Sequence, residues 1–287
     1  MRCKCLLIVL LIVLHSKATS IALTFSGGYK SHLSAAALLK QRNLNATFYL
    51  NSNLLTFQND WLNVFDVDYL TSLEFEIGGY TLDRVDLSNE DSATIVEQIC
   101  ANRGTLFANQ WVPKSFHYPF GKFNDNTDRI LKECGYNSAL VILRNRTSIP
   151  FILDQYHIPY HAVTQLDSLQ DLINQIQSSE GISVLNFQNI DSVPDSTFVE
   201  FLNWIQDTIN NSPVGTLIVK SIDELVGGIV QGVPEEYANI NPTNTPDPDA
   251  QIKLLIGTSC LGALFLLVMW VIITTQIKRK KKIKFCC

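Results

Sequence analysis

The chain has 287 residues, of which 46% are hydrophobic and 17% are charged. This composition excludes a disordered, collagen-like or coiled-coil protein, and the length permits one sizeable α/β domain with accessory segments. Residues 20–252 carry 12 basic and 27 acidic residues, a net charge of −15. Such acidity excludes sequence-independent binding to nucleic acid, which depends on clustered Lys and Arg.

Residues 1–20 have the pattern of a secretory signal peptide. Arg2 and Lys4 form a positive amino-terminal region, and residues 6–14 are an unbroken apolar run that is too short to span a bilayer as a helix. Ser16 and Ala18 are small residues in the positions that a signal peptidase needs for cleavage after Ala18. The alternative interpretation is a short buried strand.

Short apolar runs then alternate with amphipathic stretches through residues 21–228. The predicted strands cover residues 21–25, 46–50, 75–78, 115–118, 139–143, 182–187 and 215–219. The predicted helices cover residues 32–41, 60–73, 88–102, 124–133, 166–177 and 196–209. About seven βα units in series predict a parallel sheet, and at this length a barrel is favoured over an open sheet. The site of such a barrel lies at the carboxyl ends of its strands.

The domain also has features of secreted proteins. Cys100 and Cys134 are the cysteines between the two apolar ends of the chain, and in an oxidising compartment they predict either one disulfide or two separately buried thiols. Three sequons, at Asn45, Asn145 and Asn210, are candidate N-glycosylation sites.

The carboxyl-terminal segments predict a membrane anchor. Residues 229–252 are polar and rich in proline, which indicates an extended extracellular spacer. Residues 253–276 include 22 consecutive uncharged residues, about 33 Å as a helix, and are predicted to cross the membrane. The basic tail, residues 277–287, should stay in the cytoplasm. We therefore expect a single-pass type I protein of the plasma membrane, whose domain faces outward toward a cell wall or similar matrix.

Three segments at predicted strand ends carry a family resemblance. Residues 21–28 (IALTFSGG), followed by a helix and by NATFYL, resemble the opening of a polysaccharide deacetylase. Residues 76–87 (EIGGYTLDRVDL) resemble the second motif of that family and residues 116–121 (FHYPFG) the third. The family is the NodB-homology group, carbohydrate esterase family four, which includes chitin deacetylases. The resemblance covers about residues 20–228 and implies a distorted (β/α) barrel of seven or eight strands.

The resemblance implies a metal-dependent reaction whose metal ligands are replaced here. Family members remove acetyl groups from N-acetylglucosamine polymers with a divalent metal such as zinc, which an Asp and two His hold. The matching positions in this chain are Gly27, Tyr80 and Arg84. Glycine offers no ligand, tyrosine is a rare one, and arginine places a fixed positive charge where the cation would sit. We expect no metal and no other cofactor.

Two other histidines have a spacing that can bind a metal. His157 and His161 are four residues apart, which would suit a metal on a helix, but Pro159 lies between them. In the extended chain that this predicts, they stand roughly 13 Å apart.

The catalytic positions are replaced as well. Ser26 stands where the family has its catalytic base, His117 where an arginine orients that base, and Phe187 or Gln188, depending on the alignment, where a histidine returns the proton. Ser26 also suggests a serine hydrolase, but the surrounding G-x-S-x-G pattern is missing. A small residue at a tight turn is the favoured interpretation of Ser26.

Three functions are compatible with these observations. The first is a catalytically inactive binder of chitin-type glycans that tethers the membrane to a wall. Sugar rings would stack on the aromatic residues Tyr29, Tyr80, Tyr118, Phe120 and Trp111. Several of these aromatic residues are expected to pack in the core instead. The second is a protein-interaction ectodomain whose acidic surface suits a basic protein partner. The third is an active deacetylase, a hydrolase of carbon–nitrogen bonds other than peptide bonds, with a non-standard site.

Overall fold

The structure is a computed structural model that describes residues 19–56, 58, 60–143, 148–164, 167–179, 181–190, 195–212 and 217–238. The predicted signal peptide up to residue 18, the sequon at Asn145, the predicted membrane span and the basic tail lie outside the described residues. Within the described ranges, no helix has the length and apolar character needed to cross a membrane.

Ten strands of the described chain form one sheet. They are β1 Thr19–Ser26, β2 Thr47–Asn51, β3 Glu76–Thr81, β4 Ser115–His117, β5 Ser138–Val141, β6 Ser148–Ile149, β7 Ile158–Pro159, β8 His161–Val163, β9 Ile182–Phe187 and β10 Leu217–Val219. The order is β6-β9-β1-β2-β3-β4-β5-β7, with β10 beside β1 and β8 beside β9. Because only Tyr160 separates β7 from β8, and these strands run parallel to β5 and β9 respectively, the sheet nearly closes into a barrel.

Helices cover the outside of the sheet. They are α1 His32–Gln41, α2 Val64–Ser72, α3 Ser92–Val96, α4 Asn102–Ala108, α5 Asp125–Glu133, α6 Leu169–Gln177, α7 Asp195–Asn211, α8 Ile222–Val226 and α9 Glu235–Ala238. Four of them begin with a capping box, in which the N-cap side chain and the third helical residue bond each other's backbone; the N-caps are Asn63, Asn124, Ser168 and Ser221. A π-helical turn, Glu97–Ala101, joins α3 to α4 where the sequence predicts one helix.

Aromatic side chains fill both faces of the sheet. On the outer face, the Phe25 ring stacks on Phe48 at 4.8 Å and on Phe187 at 5.4 Å, beneath the helices. Burying each of these rings contributes roughly 1.5–3 kcal/mol. Inside the barrel, Tyr49 and Tyr160 pack with aliphatic residues of β5, β7 and β9. The predicted alternation of buried strands and amphipathic helices is thus confirmed as a mixed α/β barrel-like sheet.

A disulfide links Cys100 in the π-helical turn to Cys134 after α5, with their Cα atoms 5.0 Å apart. The disulfide prediction is confirmed, and the alternative of two separate thiols is wrong. Closing a loop of 34 residues stabilises the fold by about 3–4 kcal/mol in the chain-entropy model.

The first residues of the predicted spacer pack against the barrel. Arg103, which is fully buried in α4, donates hydrogen bonds from its guanidinium to the carbonyl oxygens of Gln231 at 2.7 Å and Gly232 at 2.9 Å. Asn137 donates to the carbonyl of Ile229 at 2.9 Å. The ordered domain therefore continues through Ala238, ten residues past the boundary that the sequence suggested.

Candidate functional site

The carboxyl ends of β1, β3, β4 and β9 meet at one end of the barrel, which we call the mouth. The mouth carries the residues that match the family motifs and their neighbours: Ser26, Gly27, Tyr29, Trp61, Tyr80, Arg84, His117, Phe120, Asn186 and Gln188. As the sequence predicts, the motif positions come together there because parallel strands end at the same edge.

Gly27 lies against the Cδ2–Cε2 edge of the Tyr29 ring. Its backbone has a φ of +102°, and a Cβ at this position would lie 2.9 Å from the Tyr29 ring. A carboxylate ligand at this position would therefore strain the left-handed backbone and displace the Tyr29 ring. The first metal-ligand position is therefore closed by a side chain of the chain itself.

Arg84 is fixed where the family has its second histidine ligand. Its backbone N–H donates to Thr81 Oγ1 at 2.8 Å, which stabilises the turn in which Arg84 has a φ of +62°. The guanidinium donates to the Tyr29 hydroxyl at 2.8 Å and lies 5.9 Å from the centre of that ring and 5.8 Å from the centre of the Phe120 ring, within cation–π range. In the described chain no carboxylate lies within ion-pair distance of it. A divalent cation at this place would be repelled.

Tyr80 stands at the remaining ligand position and is 3% exposed. Burial raises the pKa of its phenol, and the nearby positive charge of Arg84 acts in the opposite direction. A buried, protonated phenol is a poor metal ligand. The three positions thus do not fit a metal, and no group of three or more His, Cys, Asp or Glu side chains in the described part of the chain is arranged to hold one.

The two histidines with metal-like spacing lie in extended chain, as predicted. His157 lies between Asp154, 2.6 Å away, and Asp128, 3.0 Å away. His161, on β8, lies 3.2 Å from Asp167. Each imidazole has its own carboxylate neighbours, so the pair forms no shared site.

Ser26 is buried and hydrogen-bonded in a way that stabilises the fold. It is 1% exposed, and its Oγ accepts a hydrogen bond from Asn186 Nδ2 at 3.1 Å. Asn186 Oδ1 in turn accepts from Thr24 Oγ1 at 3.0 Å. An amide cannot take a proton from the hydroxyl, so this chain of bonds fixes β1 to β9 and does not activate a nucleophile.

His117 is enclosed by tyrosine rings inside the barrel. It is 1% exposed, and its ring centre lies 5.4, 5.0 and 4.6 Å from those of Tyr49, Tyr80 and Tyr160. Burial lowers its pKa to about 3, so the imidazole is neutral. Nδ1 donates to the Tyr118 carbonyl at 3.0 Å, which leaves Nε2 as a buried acceptor with no donor among the described side chains.

The position of the family's last histidine is held by Gln188. Phe187 points into the outer core, whereas Gln188 is exposed at the mouth. Its carbonyl accepts a hydrogen bond from Nε2 of His32 at 2.9 Å, and burial lowers the pKa of His32 to about 4. An amide at this position cannot return a proton to a leaving amine.

Three of the five aromatic residues predicted to bind sugar lie away from the surface. Tyr80 faces the barrel interior, and Tyr118 is fully buried with its hydroxyl donating to Asp128 at 2.8 Å. Trp111, 3% exposed, lies toward the opposite end of the barrel and donates to Asp68 at 2.8 Å. All three side chains are buried, so they offer little aromatic surface to a sugar ring at the mouth.

Tyr29 and Phe120 do lie at the mouth, together with Trp61, which sequence reasoning missed. Phe120 is 49% exposed, and Tyr29 and Trp61 are half-buried. The Trp61 and Tyr29 rings stack at 4.9 Å with 25° between their planes. The sequence does contain a signal for this position. Asn63 and Asp66 form a capping box, so α2 begins after Trp61. Trp61 therefore lies in the loop before the helix, where it pairs with Tyr29.

Two of the three candidate glycosylation sites fall in described segments. Asn45 is exposed and donates to the Glu224 carboxylate at 2.8 Å, and Asn210 is exposed on α7. Asn145 lies outside the described residues.

Comparison with known proteins agrees with this fold. Residues 15–139 match the family described as Polysaccharide deacetylase, and no curated protein matches the chain. A family 4 carbohydrate esterase from Streptomyces lividans, in complex with acetate, is 14% identical with a TM-score of 0.52 over 70% of this chain and 91% of that one. The Xyl-CE4 domain of a multidomain xylanase from the hindgut metagenome of Trinervitermes trinervoides is 15% identical, with a TM-score of 0.53 over 75% and 94%.

A third similar structure belongs to a protein that is described as a pseudoenzyme. It is a mutant of BA3943, described as a CE4 family pseudoenzyme with restored enzymatic activity, and it is 16% identical with a TM-score of 0.51 over 74% of this chain and 69% of that one. At these identities the structural matches show the fold alone. The family match over residues 15–139 and the motif positions at the mouth agree with these structures, so the chain is similar to NodB-type polysaccharide deacetylases in fold and motif order.

Proposed function

We propose that this protein is a catalytically inactive member of its family that binds N-acetylglucosamine-type glycans at the mouth and is anchored in the plasma membrane. The observation that carries the proposal is the position of Tyr29. Its ring covers the metal-ligand position at Gly27 and at the same time forms half of an aromatic pair with Trp61. One side chain thus closes the catalytic centre and offers a surface for a sugar ring.

The residues at the mouth support the proposal that the protein does not deacetylate. Gly27, Tyr80 and Arg84 supply no metal ligand, and the Asn186 amide holds the hydroxyl of Ser26. Without a metal or a base, the water that attacks the acetyl carbonyl has no activating group. The BA3943 relative, described as a pseudoenzyme, is a precedent for loss of activity in this fold.

Glycan binding is supported by the exposed aromatic faces. Sugar rings present C–H groups that pack against flat aromatic side chains, and such platforms work best when the rings are rigid. The stacking of Trp61 on Tyr29 and the hydrogen bond from Arg84 to the Tyr29 hydroxyl supply that rigidity. Phe120 adds a second exposed ring on the other side of Arg84.

The membrane anchor is proposed from the sequence of the two ends. A signal peptide at residues 1–20 and a span at residues 253–276 would place the acidic barrel outside the cell. Residues 239–252 would then separate the ordered domain from the bilayer. A glycan held at the mouth would be tethered to the membrane by this short link.

Titration calorimetry with N-acetylglucosamine tetramer tests the binding. The full chain, purified in detergent, should bind the tetramer, and Tyr29→Ala should weaken binding at least about tenfold because it removes one of the two stacked rings. The matched control is Tyr69→Ala, since Tyr69 is 47% exposed on α2 and lies outside the mouth. No binding to the wild-type chain, or equal loss in both variants, would contradict the proposal and favour a protein partner.

A further inference from the structure

We propose that Arg84 makes the mouth a receptor for a carboxylate group carried by a sugar. This inference rests on the proposed function, since it takes the mouth to be a sugar site and names the class of sugar that fits it. The family's substrates are polarised by a cation, whereas here a guanidinium lies at the corresponding place with its charge uncompensated by the described residues. A guanidinium in that state is suited to an anion.

The acidic residues nearest in the chain are engaged elsewhere. Asp83 accepts a hydrogen bond from Gln98 at 2.8 Å, and Asp86 accepts from Lys122 at 2.5 Å. Neither carboxylate forms an ion pair with Arg84. The positive charge at the mouth is therefore available to a ligand.

The guanidinium is also held in place before any ligand arrives. The turn from Thr81 fixes the backbone of Arg84, the Tyr29 hydroxyl accepts from one terminal nitrogen, and the Tyr80 phenol lies beside it. Nε of Arg84 is buried and has no acceptor in the described part of the chain. A carboxylate with its two oxygens in one plane can accept from N–H groups of the two terminal nitrogens, and preorganisation reduces the entropy lost on binding.

The residues around Arg84 favour a sugar acid whose carboxylates are well separated along the chain over a densely charged polyanion. The Tyr29 and Phe120 rings flank the guanidinium at 5.9 and 5.8 Å, so the ring that carries the carboxylate can pack on an aromatic face. Lys30 and Lys122, the other cations near the mouth, are each paired with an aspartate. Since residues 20–252 carry a net charge of −15, a densely charged polyanion would be repelled.

Three probes that differ in charge test the inference on the full chain in detergent. They are a tetrasaccharide of alternating N-acetylglucosamine and glucuronic acid, its methyl ester, and the N-acetylglucosamine tetramer. We expect the acid to bind about tenfold more tightly than its methyl ester, because a charge-assisted bidentate contact is lost on esterification. Arg84→Gln should reduce this ratio to below about twofold, and Arg84→Lys should retain part of it.

Arg42→Gln is the matched control. Arg42 lies at the carboxyl end of α1, where it bonds Asn203, and its replacement removes the same charge without touching the mouth. A ratio that survives in Arg84→Gln, or that falls equally in Arg42→Gln, would overturn the inference. Equal affinity of the wild-type chain for acid, ester and neutral tetramer would overturn it while leaving the proposed function intact. Failure of all three probes would overturn both. Thermal unfolding of each variant verifies that it is folded.

Discussion

The two ends of the barrel differ in how many hydrogen-bond partners their central charged side chain has. At the amino end, which we call the base, Glu76 accepts hydrogen bonds from Thr47 at 2.8 Å, from Ser115 at 2.5 Å and from the backbone N–H of Asp223 at 2.8 Å. At the mouth, Arg84 is half-buried, bonds the Tyr29 hydroxyl at 2.8 Å, and has no carboxylate within ion-pair distance among the described residues.

The carboxyl group of Glu76 is used by the fold, whereas the half-exposed guanidinium of Arg84 can be reached by a ligand. The carboxyl group of Glu76 joins β2, β3, β4 and α8, so its hydrogen bonds stabilise the closed end of the barrel. The mouth keeps hydrogen-bonding capacity that no intramolecular contact in the described chain uses. The mouth thus combines hydrogen-bond donors with aromatic surface at the positions where the family has its metal ligands.

The largest effect on stability is expected at the base. Glu76→Ala leaves three donors without their acceptor, and we expect it to lower the free energy of unfolding by about 3 kcal/mol. Urea unfolding at pH 7 measures this. Glu76→Gln is the control, because it keeps the shape and should cost much less. An alanine variant as stable as wild type would show that the base does not depend on this carboxyl group.

Acid should destabilise the fold through the histidine inside the barrel. Burial lowers the pKa of His117 to about 3, below its ordinary value of 6.5, so the unfolded chain binds a proton in a range where the folded chain does not. Stability should therefore fall as the pH is lowered from 6.5 toward 3, by about 3 kcal/mol between pH 6.5 and 4 for this residue.

The measurement is urea unfolding of wild type and His117→Gln from pH 4 to 7. The variant should lose less stability on acidification than the wild type. Glu76 acts in the opposite sense, because burial raises its pKa and it favours the folded state more at low pH. Parallel pH profiles of wild type and His117→Gln would contradict the account of the enclosed imidazole.

A smaller loss is expected when a ligand residue is restored beside Tyr29. Gly27→Asp should lower the free energy of unfolding by about 2 kcal/mol, because of the positive φ and the contact with the ring. Gly227→Asp is the control: its φ is +72°, but nothing lies within 4 Å of the added Cβ, so about 1 kcal/mol is expected. Chemical denaturation of the two variants measures the contribution of the ring. Equal losses would show that Tyr29 does not close this position.

The smallest effect on stability is expected at Arg84 itself. Arg84→Gln removes one hydrogen bond to Tyr29 and two weak ring contacts from a half-buried side chain, so the free energy of unfolding should change by less than about 1 kcal/mol. Thermal unfolding of the variant measures this change. A larger loss would show that Arg84, like Glu76, mainly stabilises the fold, and would contradict the difference between the two ends of the barrel.

The meeting of Ser26, Gly27, Tyr80, Arg84 and His117 at one end of the sheet was predictable from the sequence, because parallel strands end at the same edge. The strands that close the barrel were not, since β6, β7 and β8 have only two or three residues each and show no period. The aromatic surface was predicted in part. Tyr118 is buried by packing between β4 and α5, which no local pattern reveals.

The central claim is that the mouth binds an acetylated sugar chain without hydrolysing it. One proton NMR experiment tests both halves: the full chain in detergent, mixed with N-acetylglucosamine tetramer and zinc, and followed through the acetyl methyl signals. The account predicts broadened sugar signals and no free acetate over many hours. A growing acetate signal that a chelator abolishes would contradict the loss of catalysis, and unchanged sugar signals would contradict binding at the mouth.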